Sequence, residues 1–406
     1  MGAYSHILDG YKILDFTQFV AGPTVTRLLA EMGAEVIKVE LAPGGDPLRT
    51  MYVFKDGRSS LFVQHNRGKM SLCLDAKSPA GGEILVELAR AADVIVENFS
   101  PGAIARMGLG YETVSRINPR IVMCSISGFG QTGPLANKPG FDTLGASYAG
   151  VIDMNGHAGG PPCPPGAAIG DVTAGLNGAA SIGFALLHRE RTGRGQYLDI
   201  SLLDTYFHCH DFSVQAFSAS GGAIQPQRTG PDVPGYAPAG VFAGKQRSIV
   251  IMGITSAQWR SLCNVIGRPD LGDDPEFSTS TKRVERMPLL RPLIQQWIDS
   301  MPSDEEIIRV LEQNRIPVAP VLSVAEAVNH PHLRGRGTVA TINDPVLGAF
   351  DVPASPWRFS EFPDPLDLRA PFLGEHNAKV LKQYLGYSDQ RLEKLIEDKI
   401  LLSENR

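Results

Sequence analysis

The chain has 406 residues, of which 43% are hydrophobic and 20% are charged, a composition typical of a globular protein with a large core. The formal net charge of −5 gives no support to nucleic-acid binding, and the sequence has no run of about 18 apolar residues that could cross a membrane. The five cysteines are scattered without C-x-x-C spacing, and the N-terminus lacks a cationic, apolar signal pattern. We therefore expect reduced thiols and a cytoplasmic location.

The first half of the chain alternates between strand patterns and helix patterns. Helices are predicted to begin near Pro23, Pro79 and Gly170, between strands predicted at residues 12–16, 35–40, 71–75, 93–97, 120–125 and 196–201. Strands separated by helices are typical of βαβ units and predict a parallel sheet. Ligands of such sheets bind at the carboxyl ends of the strands, which here are followed by residues 17–21, 41–46, 98–100 and 127–133.

A smaller domain is predicted to follow a large domain of residues 1–220. Residues 221–240 are rich in Gly, Pro and Gln, which is typical of a linker or a mobile loop. A helix of residues 202–220 is predicted to end the large domain, just before this linker. Residues 241–325 are expected to form an α+β domain with a strand at 248–252. Residues 326–406 are expected to form a C-terminal segment that returns to the large domain.

The stretch from Ala167 to Thr205 is the predicted centre of the chemistry. Small and apolar residues follow Gly170-Asp171 on every helical face, which predicts a helix that is buried all round. Asp171 is expected at the N-cap, where the positive end of the helix would keep its carboxylate ionised and its pKa low. Because most N-cap aspartates only cap a helix, this pattern alone does not establish a catalytic role.

Other motifs narrow the possible chemistry. Residues 128–133 match G-x-G-x-x-G after a strand, but Pro134 and Pro139 follow where a dinucleotide-binding helix should begin, so an NAD site is disfavoured. Residues 208–211 (His-Cys-His-Asp) lie within a predicted helix with no second ligand cluster, so no metal is expected. No serine-hydrolase elbow or P-loop occurs. A carboxylate is thus the best nucleophile or base, with Asp142 as a second acid.

Four basic residues occupy positions predicted to face a ligand. They are Arg67, Lys69, Arg106 and Lys138. Each alone is best explained as a solvated surface charge, but four cations that converge near strand ends would suit a polyphosphate. Glu40 ends the second strand, where an acid binds ribose in many dinucleotide-binding proteins, but no glycine fingerprint accompanies it.

A series of motifs resembles the family III CoA-transferases (the CaiB/BaiF group), which include formyl-CoA:oxalate and carnitine CoA-transferases. The resemblance extends nearly from end to end. It rests on residues 14–17 (LDFT), 21–23 (AGP), 33–40 (GAEVIKVE), 45–46 (GD), 96–102 (VENFSPG), 128–134 (GFGQTGP), 170–171 (GD), 192–196 (TGRGQ) and 373–376 (LGEH).

The resemblance implies a Rossmann-like large domain, an interlocked homodimer, and Asp171 as the nucleophile, with Asp142 as an acid beside it. CoA or acyl-CoA would be a substrate, with no tightly bound cofactor. The positions that match the family's CoA-binding residues are Gln18, Phe19, Val20, Ala21, Arg67, Lys69, Asn98, Phe99, Ser100, Arg106 and Lys138. Leu41 stands where family members carry an arginine, which leaves a phosphate or adenine contact unaccounted for.

The expected activity is transfer of CoA from an acyl-CoA to a small, possibly dicarboxylic, acid through an aspartyl anhydride and an aspartyl-CoA thioester. Amides of residues 128–133, including Gly130, would stabilise the oxyanion, and the 221–240 loop would act as a lid. An α-methylacyl-CoA racemase is the main alternative, but Phe141 occupies the position of that group's histidine base. A nucleotide-binding oxidoreductase and a non-catalytic CoA-binding protein are further alternatives.

Overall fold

The computed structural model describes residues 6–362, 366 and 368–404. Within these residues the chain forms two compact units. The first contains the residues up to Val151, Pro164–Gln215 and the residues from Gly335 onwards, and the second contains Ile152–Cys163 and Ala216–Arg334. The sequence-based boundaries at 220, 240 and 325 stay predictions, and they differ most at Ile152–Cys163, which the structure groups with the second unit.

The first unit is built on a six-stranded parallel sheet. Its strands are β1 (Lys12–Asp15), β2 (Glu35–Leu41), β5 (Lys69–Leu74), β6 (Val94–Glu97), β7 (Val122–Ser127) and β8 (Tyr197–Ser201); a short hairpin of β3 (Val53–Lys55) and β4 (Arg58–Ser59) precedes β5. All neighbouring strands pair in parallel, in the order β5-β2-β1-β6-β7-β8. The predicted parallel sheet is confirmed, with strand ends displaced by at most two residues.

The strand order places a crevice beside β1. From β1 the chain adds β2 and β5 on one side, and it then returns to add β6, β7 and β8 on the other side. Where the direction reverses, the connections leave on opposite faces of the sheet and open a crevice at the carboxyl ends of the two central strands. The loops that follow β1 and β6 therefore border the position where ligands of such sheets bind.

Helices cover both faces of the sheet. In the first unit and at its boundaries they are α1 (Ala21–Glu31), α2 (Ser60–Asn66), α3 (Pro79–Ala91), α4 (Ala103–Arg106), α5 (Tyr111–Ile117), α6 (Asp142–Tyr148), α7 (Val151–Met154), α8 (Ile169–Thr192), α9 (Leu202–His208) and α10 (Ser213–Ala219). In β1, Ile13 packs in the apolar cluster of α1 and α8, whereas Leu14 packs in the cluster of α3 on the opposite face. Burial on both faces explains why apolar residues alternate with almost no solvated position in the central strands β1 and β6.

The helix predicted over residues 202–220 is interrupted. It consists of α9 and α10, and residues 209–212 between them are not helical. At this break His210 Nε2 donates a hydrogen bond to the carbonyl oxygen of Ala149, at a distance of 2.7 Å. The expectation of one continuous helix was wrong because apolar periodicity does not register a tertiary contact that turns the chain.

The second unit contains a small antiparallel sheet packed against helices. Its strands are β9 (Ala239–Ala243), β10 (Ser248–Met252) and β11 (Val318–Pro320), and its helices are α11 (Ser256–Val265), α12 (Pro269–Asp273), α13 (Ser280–Glu285), α14 (Met287–Ser300), α15 (Asp304–Gln313), α16 (Val324–Asn329) and α17 (Pro331–Gly335). The strands pair in the order β11-β10-β9. Ile249, Trp259 and Ile294 lie in its buried apolar core.

The 221–240 segment is anchored within this second unit. Arg228 Nη1 lies 2.6 Å from Asp153 Oδ1, and Arg291 Nε donates to Asp232 Oδ1 at 3.1 Å. The amide of Val233 donates to the carbonyl of Ala239 at 3.0 Å. These contacts hold residues 228–233 in the middle of the segment, and its role as a lid stays a prediction.

The C-terminal segment covers the outer edge of the large sheet. It contains β12 (Val339–Asp344), β13 (Gly348–Pro353), α18 (Asn377–Leu385) and α19 (Asp389–Glu397). The amide of His376 donates to the carbonyl of Ser71 at 3.0 Å, and Asn377 Oδ1 accepts from the amide of Cys73 at 2.8 Å. The edge strand β5 is thereby shielded from pairing with another chain. No helix in the described part of the chain is long and apolar enough to span a membrane.

Candidate active site

Asp171 lies in the first turn of α8, but it is not the N-cap. The helix begins at Ile169, and the N-cap is Ala168, which has no side-chain capping bond. The predicted N-cap was wrong because Ile169 and Gly170 are already helical. Asp171 nevertheless remains within the turn where free backbone N–H groups create the positive end of the helix.

Asp142 caps the helix in place of Asp171. It is the first residue of α6, and its Oδ1 accepts the backbone amide of Asp171 at 2.8 Å. Its Oδ2 accepts the hydroxyl of Tyr206 at 2.9 Å. Both carboxylate oxygens of Asp142 are thus hydrogen-bonded, and its side chain fixes the start of the helix that carries Asp171.

Gly170 is required by the close approach of Tyr206. A Cβ atom at this position would lie 2.1 Å from Tyr206 Cε2 and 2.8 Å from Asp142 Oδ1. Any other residue would collide with a buried aromatic ring. The Gly-Asp pair therefore has a steric basis: glycine admits Tyr206, and Tyr206 in turn holds Asp142.

The pKa of Asp171 is raised rather than lowered. Burial raises it from 3.8 to about 7, and the nearby carboxylate of Asp142 acts in the same direction. The expectation of a low pKa was wrong. It took into account the positive end of the helix, but not the burial of Asp171 or the negative charge of Asp142. At neutral pH the protonated and ionised forms of Asp171 are both populated.

A contact between two glycines positions the segment that leads into Asp142. A Cβ atom on Gly128 would lie 2.5 Å from the Cα of Gly140, so both backbones need glycine to pass. Gly130 has a φ of 88° and lies beside Asp199, whose Oδ2 accepts the amide of Gln131 at 3.0 Å. The oxyanion role of Gly130 stays a prediction.

The loop after β1 is bound to the loop after β6 across the crevice. Asn98 accepts the amide of Gln18 at 2.8 Å and donates to the carbonyl of Gln18 at 2.7 Å. The ring of Phe19 packs edge to face against Phe141, with centroids 6.2 Å apart. Since Phe141 directly precedes Asp142, the structure brings the predicted CoA-binding loops together with the Asp142–Asp171 pair.

The remaining loop positions lie nearby but make different contacts. Val20 precedes α1, and Ala21 is its first residue. A Cβ atom on Gly175 of α8 would lie 3.0 Å from the carbonyl oxygen of Ala21, so α1 and α8 cross very closely. The amide of Phe99 donates to Glu97, and Ser100 is exposed.

The four predicted cations differ in their surroundings. Arg106 and Lys138 are exposed, and Lys138 Nζ donates to the hydroxyl of Tyr148 at 2.9 Å. Arg67 is buried against Glu31 at 2.6 Å, and Lys69 is buried against Asp15 at 2.9 Å. Only Arg106 and Lys138 present an exposed charge to solvent, so the prediction that Arg67 and Lys69 bind CoA lacks this support and stays a prediction.

Sequence reasoning missed two residues of the site. Tyr206 lies just beyond the stretch first singled out, and no local pattern indicates its bond to Asp142. Glu97 ends β6, is buried, and accepts the amide of Phe99 at 2.8 Å. Burial raises the pKa of Glu97 to about 7.

Across residues 6–362, 366 and 368–404, no three His, Cys, Asp or Glu side chains form a group that could hold a metal ion.

Comparison with known proteins connects this geometry to one family. A family model described as CoA-transferase family III matches residues 8–377. The succinyl-CoA:glutarate CoA-transferase of Mus musculus is 34% identical over 96% of this chain and 89% of its own length. The formyl-CoA:oxalate CoA-transferase of Streptomyces coelicolor is 36% identical over 95% of this chain and 97% of its own length.

Solved structures give the same result. A CAIB/BAIF family protein from Brucella suis superposes with a TM-score of 0.80 and 32% identity, covering 93% of this chain and 99% of its own. The Rv3272 protein of M. tuberculosis, in its orthorhombic form, gives a TM-score of 0.80 at 28% identity with the same coverage.

Proposed function

We propose that this chain, which belongs to the family III CoA-transferases, moves CoA from an acyl-CoA donor to a small dicarboxylic acid through covalent intermediates on Asp171. The observation that carries the mechanism is the placement of Asp171 in the first turn of α8, beside Asp142. The substrate class follows the names of relatives, which pair CoA donors with glutarate, oxalate and mesaconate.

The reaction begins with the ionised carboxylate of Asp171. One of its oxygens attacks the thioester carbon, CoA leaves as the thiolate, and a mixed anhydride forms. The thiolate then attacks the aspartyl carbonyl, which releases the donor acid as a carboxylate and leaves an aspartyl-CoA thioester. The acceptor carboxylate attacks this thioester to form a new anhydride, from which the CoA thiolate takes the acceptor acyl group and regenerates Asp171.

Asp142 and Tyr206 serve this chemistry by orienting Asp171. The bond from the Asp171 amide to Asp142 fixes the first turn of α8, while Tyr206 holds Asp142 from its other oxygen. Because both intermediates are hydrolysed by water, the site also needs to be closed during turnover. The loops that carry Gln18 and Asn98 would contact the CoA moiety at the carboxyl ends of β1 and β6.

The mechanism is tested by trapping the covalent acyl-enzyme intermediate. This test does not depend on whether the protein is a dimer. The protein is incubated with succinyl-CoA or formyl-CoA without an acceptor, treated with hydroxylamine or borohydride, and digested for mass analysis. We expect the modification on the peptide that contains Asp171, and none in an Asp171→Asn variant. Modification of another residue, or none in an enzyme that transfers CoA, would contradict the mechanism.

Two further assays on the same protein identify the acceptor acid and test for the competing isomerase reaction. Glutarate, oxalate and mesaconate are supplied in turn with each donor, and the new CoA ester is measured by chromatography. A branched acyl-CoA is separately incubated in deuterium oxide without an acceptor. Formation of a new dicarboxylyl-CoA supports the proposal, whereas deuterium at the α-carbon without transfer would support isomerisation.

The proposed functional form is a homodimer. The side of α8 opposite the sheet is apolar and exposed in the single chain, with Phe184 at 73% and Leu187 at 49% of full exposure. Large apolar side chains exposed to this extent are typical of a surface covered by another protein copy. The interlocked arrangement implied by the family resemblance remains part of the proposal.

A further inference from the structure

Three consecutive backbone amides after β1 are held by side chains from three separate places in the chain. The amide of Thr17 donates to Asp15 Oδ1 at 2.8 Å, and that of Gln18 donates to Asn98 Oδ1 at 2.8 Å. The amide of Phe19 donates to Asp46 Oδ1 at 3.2 Å. Asp15 ends β1, Asp46 follows β2, and Asn98 follows β6. Residues 17–19 are called the clamped segment below.

Two carbonyl groups of the clamped segment are held in the same manner. Lys38 Nζ donates to the carbonyl of Thr17 at 2.8 Å, and Asn98 Nδ2 donates to the carbonyl of Gln18 at 2.7 Å. Lys38 Nζ also lies 2.9 Å from Asp46 Oδ2, with both side chains essentially inaccessible to solvent. Lys38 and Asp46 thus form a buried ion pair, and each of the two side chains makes a hydrogen bond to the clamped segment.

The conformation of Phe19 shows why such restraint is needed. Its φ is 61°, in the left-handed region that non-glycine residues rarely adopt. Such a residue costs on the order of 1–3 kcal/mol and persists only when its surroundings enforce it. In this conformation Phe19 is partly exposed and its ring meets Phe141.

A stability role explains the ion pair less well. Removing two charges from water costs several kcal/mol, so buried ion pairs add little net stability compared with apolar residues of the same size. The pair does fix the orientation of the neighbouring backbone, because one oxygen of Asp46 accepts the amides of both Phe19 and Leu48. Its other oxygen faces Lys38, which places the Lys38 donor against the carbonyl of Thr17.

We infer that Asp46 and Lys38 are positioning residues for the acyl-CoA site, acting through the backbone of residues 17–19. This inference rests on the proposed function, because the clamped segment is part of the proposed CoA-binding surface. The pair holds the backbone on either side of Gln18, through the Thr17 carbonyl and the Phe19 amide, and so keeps the Phe19 ring against Phe141, next to the Asp142–Asp171 pair. Neither Asp46 nor Lys38 touches substrate in this proposal.

The chain offers a closely matched control in Asp344. Like Asp46, it is buried, it pairs with a buried cation, Arg58, at 2.8 Å, and it accepts two backbone amides. Those amides belong to Val346 and Leu347, far along the chain from the clamped segment. Asp46→Ala and Asp344→Ala therefore remove the same type of buried group, and only the first releases residues 17–19.

The test combines hydrogen exchange with kinetics. In Asp46→Ala we expect amide exchange across residues 17–20 to rise about tenfold or more. We also expect kcat/KM for the acyl-CoA donor to fall at least about tenfold, through misplacement of the bound donor. In Asp344→Ala both quantities should stay within about twofold of the wild-type values, whatever the loss in melting temperature.

A conservative variant keeps the inference testable if the alanine variant does not fold. Asp46→Asn retains an oxygen that can accept the amide of Phe19, and we expect it to keep most of the exchange protection and more donor kcat/KM than Lys38→Met. Equal loss of activity in Asp46→Ala and Asp344→Ala, or unchanged exchange at residues 17–20, would overturn the inference.

The two readouts separate this inference from the proposed function. Hydrogen exchange and calorimetric binding of free CoA require no transfer activity. If the wild-type protein transfers no CoA between any donor and acceptor, the proposed function fails. Faster exchange and weaker CoA binding in Asp46→Ala would still support the positioning role, and unchanged values of both would reject it.

Discussion

At Asp171 two opposing effects act on the same carboxylate. A helix N-terminus stabilises a nearby negative charge by at most ~2 kcal/mol. Raising the pKa from 3.8 to about 7 corresponds to a cost on the order of 4 kcal/mol for the ionised form. Burial and the Asp142 carboxylate therefore outweigh the helix terminus. The resulting carboxylate is more basic, and so more nucleophilic, than an exposed aspartate, but only part of it is ionised at neutral pH.

The activity should consequently depend on pH near neutrality. We expect kcat/KM for the acyl-CoA donor to rise with pH through a midpoint of about 7, because only ionised Asp171 attacks the thioester. Asp142→Asn should shift the midpoint to lower pH, since it removes the neighbouring charge. Initial rates measured between about pH 5.5 and 8.5 test this.

Glu97 requires a control in this experiment, because its pKa is also raised to about 7. Glu97→Gln should leave the midpoint unchanged if Asp171 is the group that titrates. A midpoint that disappears in Glu97→Gln would assign the pH dependence to Glu97 instead.

Ionisation of Asp171 should also reduce stability. The folded protein keeps the Asp171 proton up to about pH 7, whereas the unfolded chain releases it near 3.8, so the contribution of this group to stability falls as pH rises between these values. Asp171→Asn removes this titration. We expect its stability relative to wild type to grow across that window, by on the order of 4 kcal/mol in total.

Urea unfolding at a series of pH values measures this difference. The exposed Asp389, which pairs with Lys382 at the surface, provides the control. At every pH above about 7 the stability gain of Asp171→Asn should exceed that of Asp389→Asn. An Asp171→Asn protein that is equally or less stable than wild type at pH 8 would argue against an ionised, buried carboxylate.

At the scale of the element, the first turn of α8 depends on glycine at position 170. Gly170→Ala places a methyl group against Tyr206 and Asp142. We expect a loss of stability of about 1–3 kcal/mol from overpacking, and a fall in kcat of about tenfold or more from displacement of Asp171. Chemical denaturation and initial rates measure the two effects.

Gly82, in the interior of α3, is the control glycine. A Cβ atom there would meet nothing within 4 Å, so Gly82→Ala should leave activity unchanged and stabilise its helix by up to ~1 kcal/mol. Full activity of Gly170→Ala would show that the contact with Tyr206 does not position the nucleophile.

The elements differ in how far the sequence predicts them. The sheet strands are recognisable because their apolar, β-branched residues are buried on both faces, which leaves a strong local pattern. The start of α8 is not, because its capping group comes from Asp142, which is 29 residues away. The bond between Tyr206 and Asp142 spans 64 residues, and no spacing rule indicates it.

The same reason limits the prediction of the cations. Arg67 and Lys69 have the appearance of solvated charges in the sequence, and their burial is determined by Glu31 and Asp15 on other elements. The resemblance to a family indicated Asp171 and the loops near Gln18 and Asn98. It could not indicate which of the charged groups are satisfied within the protein.

At the scale of the whole molecule, α8 was predicted to be buried on every face, and in the single chain it is not. Its inner face packs against the sheet and α1 through Ala174, Gly178 and Ile182. Its outer face exposes Phe184 and Leu187. The all-round apolar pattern is therefore explained if a second copy of the chain covers the outer face, which is the proposed homodimer.

The assembly is tested by sedimentation. We expect the wild-type protein to sediment with about twice the 43.7 kDa mass of the chain. The double variant Phe184→Glu/Leu187→Glu should lose the dimer, because two charges would be buried without partners in the interface. Ile396→Glu, a similar change at an exposed apolar residue of α19, should leave the dimer intact. A monomeric wild-type protein would contradict this proposal.

The clamped segment also determines how freely this protein could be redesigned. Its contacts use backbone amides and carbonyls, so they do not depend on which side chains residues 18 and 19 carry. Saturation libraries at Gln18 and Phe19 should therefore contain many folded members, with glycine and asparagine favoured at position 19 by its positive φ. Libraries at Lys38, Asp46 and Asn98 should contain few. Directed evolution toward a new acyl group would then begin at two adjacent codons, with the surrounding framework left unchanged.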